Sequence, residues 1–279
     1  QNEKLTNDES WIGGIYVEAV KRLFKDEKLQ EEVNEINKKL EKKSDKKINE
    51  IWKKTIKLSI DSWNKIYEDF GTKFDKHYFE SEVEKRGKEI SKDLVKKGIA
   101  KISEEATIMD LKKYNLGVWV LLRNDGTVLY SAKDIALVEK KLKDHKLDEY
   151  LVITADEQNL HFQQLLKTLE LMGLKSKDKF LHTSYGVVRL PQGKISSRTG
   201  ENILYSEFRN ELLEYAKKGI KQKFPKIKNK ELNERALKVA IASMKYSMLS
   251  QSPNKLIVFN KEQAMRFEGD SGPYLQYSY

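Results

Sequence analysis

The chain contains no cysteine, which excludes disulfides and thiolate metal sites and fits a reducing compartment. It has no run of 18 apolar residues and no basic-then-apolar start. No segment is therefore expected to span a membrane or direct export, and the expected location is cytoplasmic. Only four histidines occur (His77, His145, His161, His182), and none forms a His-x-x-His. A nucleotide-binding P-loop is missing too. Around Gly193-Lys194 that motif needs a glycine where Val188 stands and a hydroxyl residue where Ile195 stands. Neither an internal repeat nor a low-complexity tract is present.

What is abundant is charge. Lys and Arg number 53 against 43 acids, a formal balance of +10, and a third of the residues are charged. A basic excess favours a polyanionic partner. Against that, much of the lysine lies in helical runs interleaved with Glu, the usual make-up of a solvated face. At 279 residues the chain has room for one or two domains with sizeable cores.

The first third reads as helical. Trp11, Ile15, Val17, Ala19, Val20 and Leu23 have helical periodicity, with Ser10 placed as a cap. Residues 28–45 carry a thin apolar stripe (Leu29, Val33, Ile36, Leu40), expected of an exposed connecting arm. A stronger pattern runs from Lys46 to Phe70 and is stopped by Gly71, and another runs from Glu80 to Lys97, before Gly98. The aromatic residues of these helices read as core.

At Ala106 the period changes. Thr107–Leu111 and Gly117–Leu122 read as strands, and Asn124-Asp125-Gly126 signals a hairpin into Val128–Tyr130. A helix over Asp134–Leu142 follows, then an almost wholly apolar strand Tyr150–Thr154, then a helix Asn159–Leu171 before Gly173, then a strand Phe180–Leu190. A continuous apolar strand between helices points to a buried parallel sheet and an α/β class. Helices over Phe208–Lys223 and Leu232–Leu249 and a short strand Leu256–Phe259 complete the pattern.

The last of the α/β strands leads into Leu190-Pro-Gln-Gly-Lys-Ile-Ser-Ser-Arg-Thr-Gly200. Gly193 and Gly200 permit close backbone approach, and Lys194, Ser196, Ser197, Arg198 and Thr199 offer donors with no acidic side chain. This composition suits an anion site beyond the carboxyl end of a strand, although a solvated basic loop has the same make-up.

Gly193-Lys-Ile-Ser-Ser-Arg198 resembles the class I aminoacyl-tRNA synthetase signature KMSKS, in the variant of arginyl-tRNA synthetases. Supporting blocks are Gly126-Thr-Val-Leu-Tyr-Ser-Ala-Lys-Asp-Ile-Ala136, Gln158-Asn-Leu-His-Phe162 and Phe267-Glu-Gly-Asp-Ser-Gly-Pro-Tyr-Leu-Gln-Tyr277, in family order and spacing. Three departures stand out. The HIGH motif is lacking, position 195 is Ile where the general motif has Met, and Phe79 precedes Glu80 where many members have a small residue.

The resemblance implies the second half of a class I Rossmann-like parallel sheet with helical connective segments and a helical C-terminal part. Residues 1–75 would be a helical connective segment, 76–202 the second half of the nucleotide-binding catalytic domain, and 203–279 a helical stretch leading toward an anticodon-binding domain. It implies an arginine-tRNA ligase as the parent, with tRNA(Arg), L-arginine and ATP as partners and no membrane, acting as a monomer. The piece in hand, lacking HIGH, would be inactive or nearly so. Lys194 would neutralise charge on the departing pyrophosphate, with Ser196, Ser197 and Arg198 as loop donors. Glu80 and Asp134 would face the guanidinium, Tyr130 would flank it, and Gln158 would contact the amino-acid head. Asp156 would hold the ribose and Val188 the adenine through its backbone, while Mg²⁺ would arrive with ATP.

His161 and His182 sit at family-like positions, but lone histidines are more often structural, and they stay outside the expected site. A glutamate or cysteine enzyme fits less well, since the first would want basic residues at the pocket and the second a zinc site built with cysteine. The alternative of a different kind is a non-catalytic RNA-binding paralogue.

Overall fold

The computed structural model describes residues 9–26, 28–174, 179–189, 204–266 and 268–278. In chain order its first elements are α1 (Glu9–Lys25), α2 (Leu29–Glu41), α3 (Lys46–Phe70) and α4 (Glu80–Lys96). Next come β1 (Lys101–Ser103), β2 (Ala106–Asp110), β3 (Val118–Leu122), α5 (Tyr130–Asp144), β4 (Tyr150–Ala155), α6 (Asn159–Leu171) and β5 (Phe180–Tyr185). The remainder comprises β6 (Val188–Arg189), α7 (Tyr205–Lys223), α8 (Asn229–Leu249), β7 (Ile257–Val258), α9 (Lys261–Ala264) and α10 (Gly272–Ser278). Two compact units emerge: Gln1–Lys73 with Val188–Gln251 and Ile257–Tyr279, and Phe74–Val187 with Ser252–Leu256.

The first unit is mainly helical. Asp45 caps α3 by accepting from the Ile48 N–H at 3.0 Å, and Gly71 ends it at φ +63, as its position after the last apolar residue predicts. Ser10, read as a cap, lies inside α1. Trp52 and Trp63, read as core, are exposed, and neither α2 nor α3 holds a fully buried residue. Helical spacing alone does not tell which apolar stripe finds a partner. The core of this unit forms between α7 and α8, where Leu212, Ala216 and Ile220 meet Leu232, Ala236, Ala240 and Met244.

Two fasteners hold this unit. The Asp69 carboxylate accepts from Tyr205 Oη at 2.8 Å and from Arg209 Nε at 2.6 Å, tying the end of α3 to α7. Burial, followed by the Asp69 hydrogen bond, pushes the Tyr205 phenol up. The second lies within the 267–277 block. The Ser271 hydroxyl donates to the Arg266 carbonyl and accepts from the Tyr274 N–H, capping α10. At Gly272, any Cβ would lie inside van der Waals contact of the Ala242 carbonyl and the Ser243 nitrogen of α8.

The second unit carries the α/β pattern. Strands β1, β2 and β3 form an antiparallel sheet. β1 escapes the sequence reading because its turn is Glu104-Glu105, both at positive φ, where Asn-Gly would be the usual signal. The expected hairpin after β3 is cut short. Arg123 N–H reaches the Thr127 carbonyl at 3.0 Å and Leu122 bridges Val128, but the chain then turns into α5 at Tyr130, four residues ahead of the predicted helix start. The Ser131 hydroxyl, which donates to the Val120 carbonyl, helps anchor the helix there.

β4 and β5 pair in parallel, from Tyr150↔Phe180 to Ala155↔Tyr185, and α6 is the crossover. The core gathers Val83, Ile90 and Leu94 of α4, Met109, Trp119 and Leu121 of the antiparallel sheet, Ile135 and Val138 of α5, and Phe162, Leu165 and Leu169 of α6. The sheet is not buried on both faces. Leu151, Ile153, Leu181 and Tyr185 are exposed, while Tyr150, Val152 and Phe180 point to the core. The predicted strand over Phe180–Leu190 breaks at Gly186, which sits against the Lys255 carbonyl and donates its N–H to Pro253 O at 2.7 Å.

Candidate active site

Helix α5 carries two of the expected site residues, Tyr130 and Asp134. Its start is fixed by Leu129 N–H on the Leu121 carbonyl at 3.0 Å and by Ser131 on Val120. Tyr130 is its first residue and Asp134 its fifth, so the two lie one turn apart on one face. Tyr130 is exposed, and the Lys133 ammonium stands 5.9 Å from its ring centroid. Asp134 lies beyond the first turn, where the helix N-terminal dipole contributes little to a carboxylate.

Glu80 reaches the same helix from α4. It opens α4, and its carboxylate meets Lys133 Nζ at 3.0 Å. The approach depends on Gly87, where a Cβ would stand 2.8 Å from the Ala132 carbonyl oxygen. Two helices that close can cross only at a residue without a side chain.

Asp134 is held from a third direction. His161, in the first turn of α6, places Nε2 2.6 Å from Asp134 Oδ2, and the Trp119 indole N–H donates to His161 Nδ1 at 3.3 Å. The next residue, Phe162, stacks on His182 with centroids 4.5 Å apart, and His182 Nε2 lies 2.8 Å from Thr154 Oγ1. Burial lowers the His182 pKa, favouring the neutral ring. Tyr150 is pushed up to about 12, by burial first and then by the negative charge of Asp134. Lys141 lies 5.3 Å from the Tyr78 ring centroid and 5.1 Å from that of Tyr150, and burial lowers its pKa.

Asp156 and Gln158 bound the single 3-10 turn between β4 and α6, and both are exposed at the carboxyl end of β4. Val188 lies in the other unit, on β6, opposite Ile257. Lys194, Ser196, Ser197 and Arg198 lie outside the described residues. Among the described residues, no cluster of His, Asp and Glu could hold a metal ion.

Four residues that the sequence reading leaves outside the site lie at it: His161, set aside as a lone histidine but 2.6 Å from Asp134, and Lys133, Trp119 and Lys141. Lys133 could have been flagged as the neighbour of Asp134, but nothing local marks Trp119 or Lys141.

A parallel β–α–β crossover with polar side chains gathered at its strand ends and crossover-helix start defines an α/β fold of the nucleotide-binding class. Residues 1–260 match the family described as tRNA synthetases class I (R), catalytic domain. The arginine–tRNA ligase of Clostridium acetobutylicum is 34% identical over 265 residues, covering 95% of this chain and 46% of that protein. That of Borreliella burgdorferi is 34% identical over 275 residues, with the same two coverages. The arginyl-tRNA synthetase structure from Thermus thermophilus matches with a TM-score of 0.73 at 23% identity, over 92% of this chain and 49% of that one, a likeness of fold. The chain belongs to the arginine class I tRNA synthetase family, catalytic domain, and it spans about half the length of the curated relatives it matches. The α/β class read from the sequence is borne out, and with it the resemblance. Among the described residues, no helix is long and apolar enough to cross a membrane.

Proposed function

We propose that the parent protein attaches L-arginine to tRNA(Arg) in two steps, and that the second unit carries its arginine pocket. In the first step the arginine carboxylate attacks the ATP α-phosphorus and pyrophosphate leaves. In the second the terminal ribose hydroxyl of the tRNA attacks the adenylate carbonyl and AMP leaves. The observation that carries this reading is the Asp134 carboxylate, one helical turn from Tyr130 and oriented by His161.

A guanidinium is planar and always charged, and a carboxylate reads it with two parallel hydrogen bonds. Asp134 supplies such an acceptor. Glu80 supplies a second once Lys133 shares or releases it, and Tyr130 offers a ring face. Neutral citrulline would leave these carboxylates uncompensated. Gln158, at the head of α6, would contact the amino-acid end. Asp156 and Val188 would hold ribose and adenine, and Lys194 with Ser196, Ser197 and Arg198 would stabilise the departing pyrophosphate. Mg²⁺ would travel with ATP, keeping water and phosphate ligands, so it needs no protein cage. In this reading residues 1–75, 76–202 and 203–279 are connective, catalytic and anticodon-leading segments, and the parent is a cytoplasmic monomer.

Calorimetric titration of the chain with L-arginine, with citrulline and lysine as controls, tests the pocket. Selective arginine binding that Asp134→Ala abolishes is the expected result. A folded chain that does not discriminate arginine from citrulline would remove the arginine reading and favour the RNA-binding alternative. In ATP–pyrophosphate exchange, the chain alone is expected to show little or no activity.

A further inference from the structure

Asp134 does not stand alone. Its Oδ2 lies 2.6 Å from His161 Nε2, and the other ring nitrogen, Nδ1, receives the Trp119 indole N–H at 3.3 Å. An indole nitrogen can only donate, so Nδ1 must be the unprotonated nitrogen, and the ring proton must sit on Nε2, aimed at the carboxylate. Protonating Nδ1 would set one N–H against another.

The three residues come from three different elements of one unit: β3, α5 and the first turn of α6. Trp119 is buried and meets the His161 ring edge to face at 5.2 Å, which fixes the plane of the imidazole. Asp134 and His161 keep 31% and 24% of their side-chain surface exposed, so the carboxylate retains an open side. The Asp134 charge is also felt by Lys141, further along α5, and by Tyr150, at the start of β4, and Lys141 lies 5.1 Å from the Tyr150 ring centroid.

We infer that Trp119 and His161 form a positioning relay for the arginine site. Trp119 fixes the His161 tautomer, and His161 donates Nε2–H to one lone pair of Asp134 Oδ2 and so sets the orientation in which the carboxylate's remaining lone pairs meet the substrate guanidinium. The inference rests on the proposed arginine pocket. A neutral donor in this place orients the carboxylate without cancelling its charge, so the net charge presented to a cation stays negative. A protonated histidine or a lysine there would neutralise it. The relay therefore serves specificity for a cation as well as geometry. His161 and Trp119 touch neither substrate nor reacting atoms in this scheme and act only through Asp134.

Two measurements keep the relay and the pocket separable. The first is imidazole-nitrogen NMR on the histidine-labelled chain without ligand. Here His161 should show Nε2 protonated and Nδ1 bare, and Trp119→Phe should release it to a mixture of tautomers. A ring protonated at Nδ1 or at both nitrogens overturns the relay, whatever the chain binds. The second is L-arginine titration of His161→Ala, His161→Gln and Trp119→Phe. Loss of one charge-assisted hydrogen bond should weaken binding roughly 10- to 100-fold in His161→Ala. His161→Gln, whose amide can still donate, should recover most of it, and Trp119→Phe should lie between.

Equal binding by His161→Ala and wild type, or failure of Gln to rescue in a folded variant, overturns the assignment. Absence of selective arginine binding by the folded wild-type chain overturns the pocket and the recognition role with it. The tautomer seen by NMR then decides the Trp119–His161–Asp134 geometry by itself.

Discussion

Gly87 of α4 lies so close to the backbone of Ala132 in α5 that a methyl group at its Cα would stand 2.8 Å from the Ala132 carbonyl oxygen and 3.2 Å from the Lys133 nitrogen. This contact sets the separation of the helices that carry Glu80 and Lys133. Gly87→Ala should therefore cost about 1–3 kcal/mol through overpacking against backbone that cannot give way. It should also weaken arginine binding by displacing Glu80. Urea unfolding and arginine titration of the same sample check both effects. An unchanged midpoint would show that the crossing can relax.

The β1–β2 turn is built from two glutamates in the left-handed region, Glu104 at φ +48 and Glu105 at φ +63. Left-handed backbone costs an ordinary residue about 1–2 kcal/mol, whereas Asn-Gly suits this turn. Replacing the pair by Asn-Gly should stabilise the second unit by about 0.5–2 kcal/mol without touching the site. The check is thermal unfolding, with arginine binding unchanged.

Asp144, at the end of α5, is held down to about 2 from 3.8 by its hydrogen bond from Lys76, with further lowering from the Lys140 and Lys76 charges and the Tyr78 hydroxyl. A carboxylate depressed in the folded state stabilises fully above its unfolded value. That contribution fades as pH falls through the folded one. The stability difference between wild type and Asp144→Asn should accordingly be constant above about pH 4 and shrink toward pH 2. Denaturant midpoints across that window would measure it, and a difference that persists unchanged to pH 2 would contradict the pairing.

Tyr150 provides an independent probe of Asp134. Burial is the main cause of its rise from 10.0 to about 12, and the Asp134 charge adds to it. A raised phenol pKa favours the folded state fully below about pH 10 and loses that contribution as pH climbs toward 12. In ultraviolet titration Asp134→Asn should lower the Tyr150 midpoint, yet leave it above an exposed tyrosine because the burial remains. No change at all would place Asp134 too far away to matter.

How much is legible in the sequence varies with the kind of signal. Lys46–Phe70 is readable to the residue because Asp45 and Gly71 mark its ends with side-chain and backbone chemistry. The apolar run Tyr150–Thr154 reveals a strand but not its surroundings, since a strand with one open face can carry the same residues as one buried on both. β1 stays hidden because Glu104 and Glu105 adopt a turn their residue type disfavours. Tyr130 reads as a strand end because the hairpin signal at Asn124–Gly126 is sound, while the single Leu122–Val128 bridge beyond it is invisible.

For the site, Tyr130 and Asp134 come from the resemblance, and they share one helical face only because α5 begins at Tyr130 rather than at Asp134. The link to His161, 27 residues further on, and to Trp119, in another strand, arises only when the chain folds. The loop around Lys194 lies outside the described residues, and its assignment rests on the resemblance.

The block at 267–277, the most recognisable stretch outside the Lys194 loop, has a mechanical explanation. Ser271 closes the start of α10, and Gly272 leaves no space for even a methyl group against α8. Spelling of this kind can identify a lineage simply because no other letters fit between two helices. A hunt for ligand contacts guided by recognisable spelling would be drawn to that helical dock. It would pass over Trp119, which carries no signature and hydrogen-bonds His161 beside Asp134.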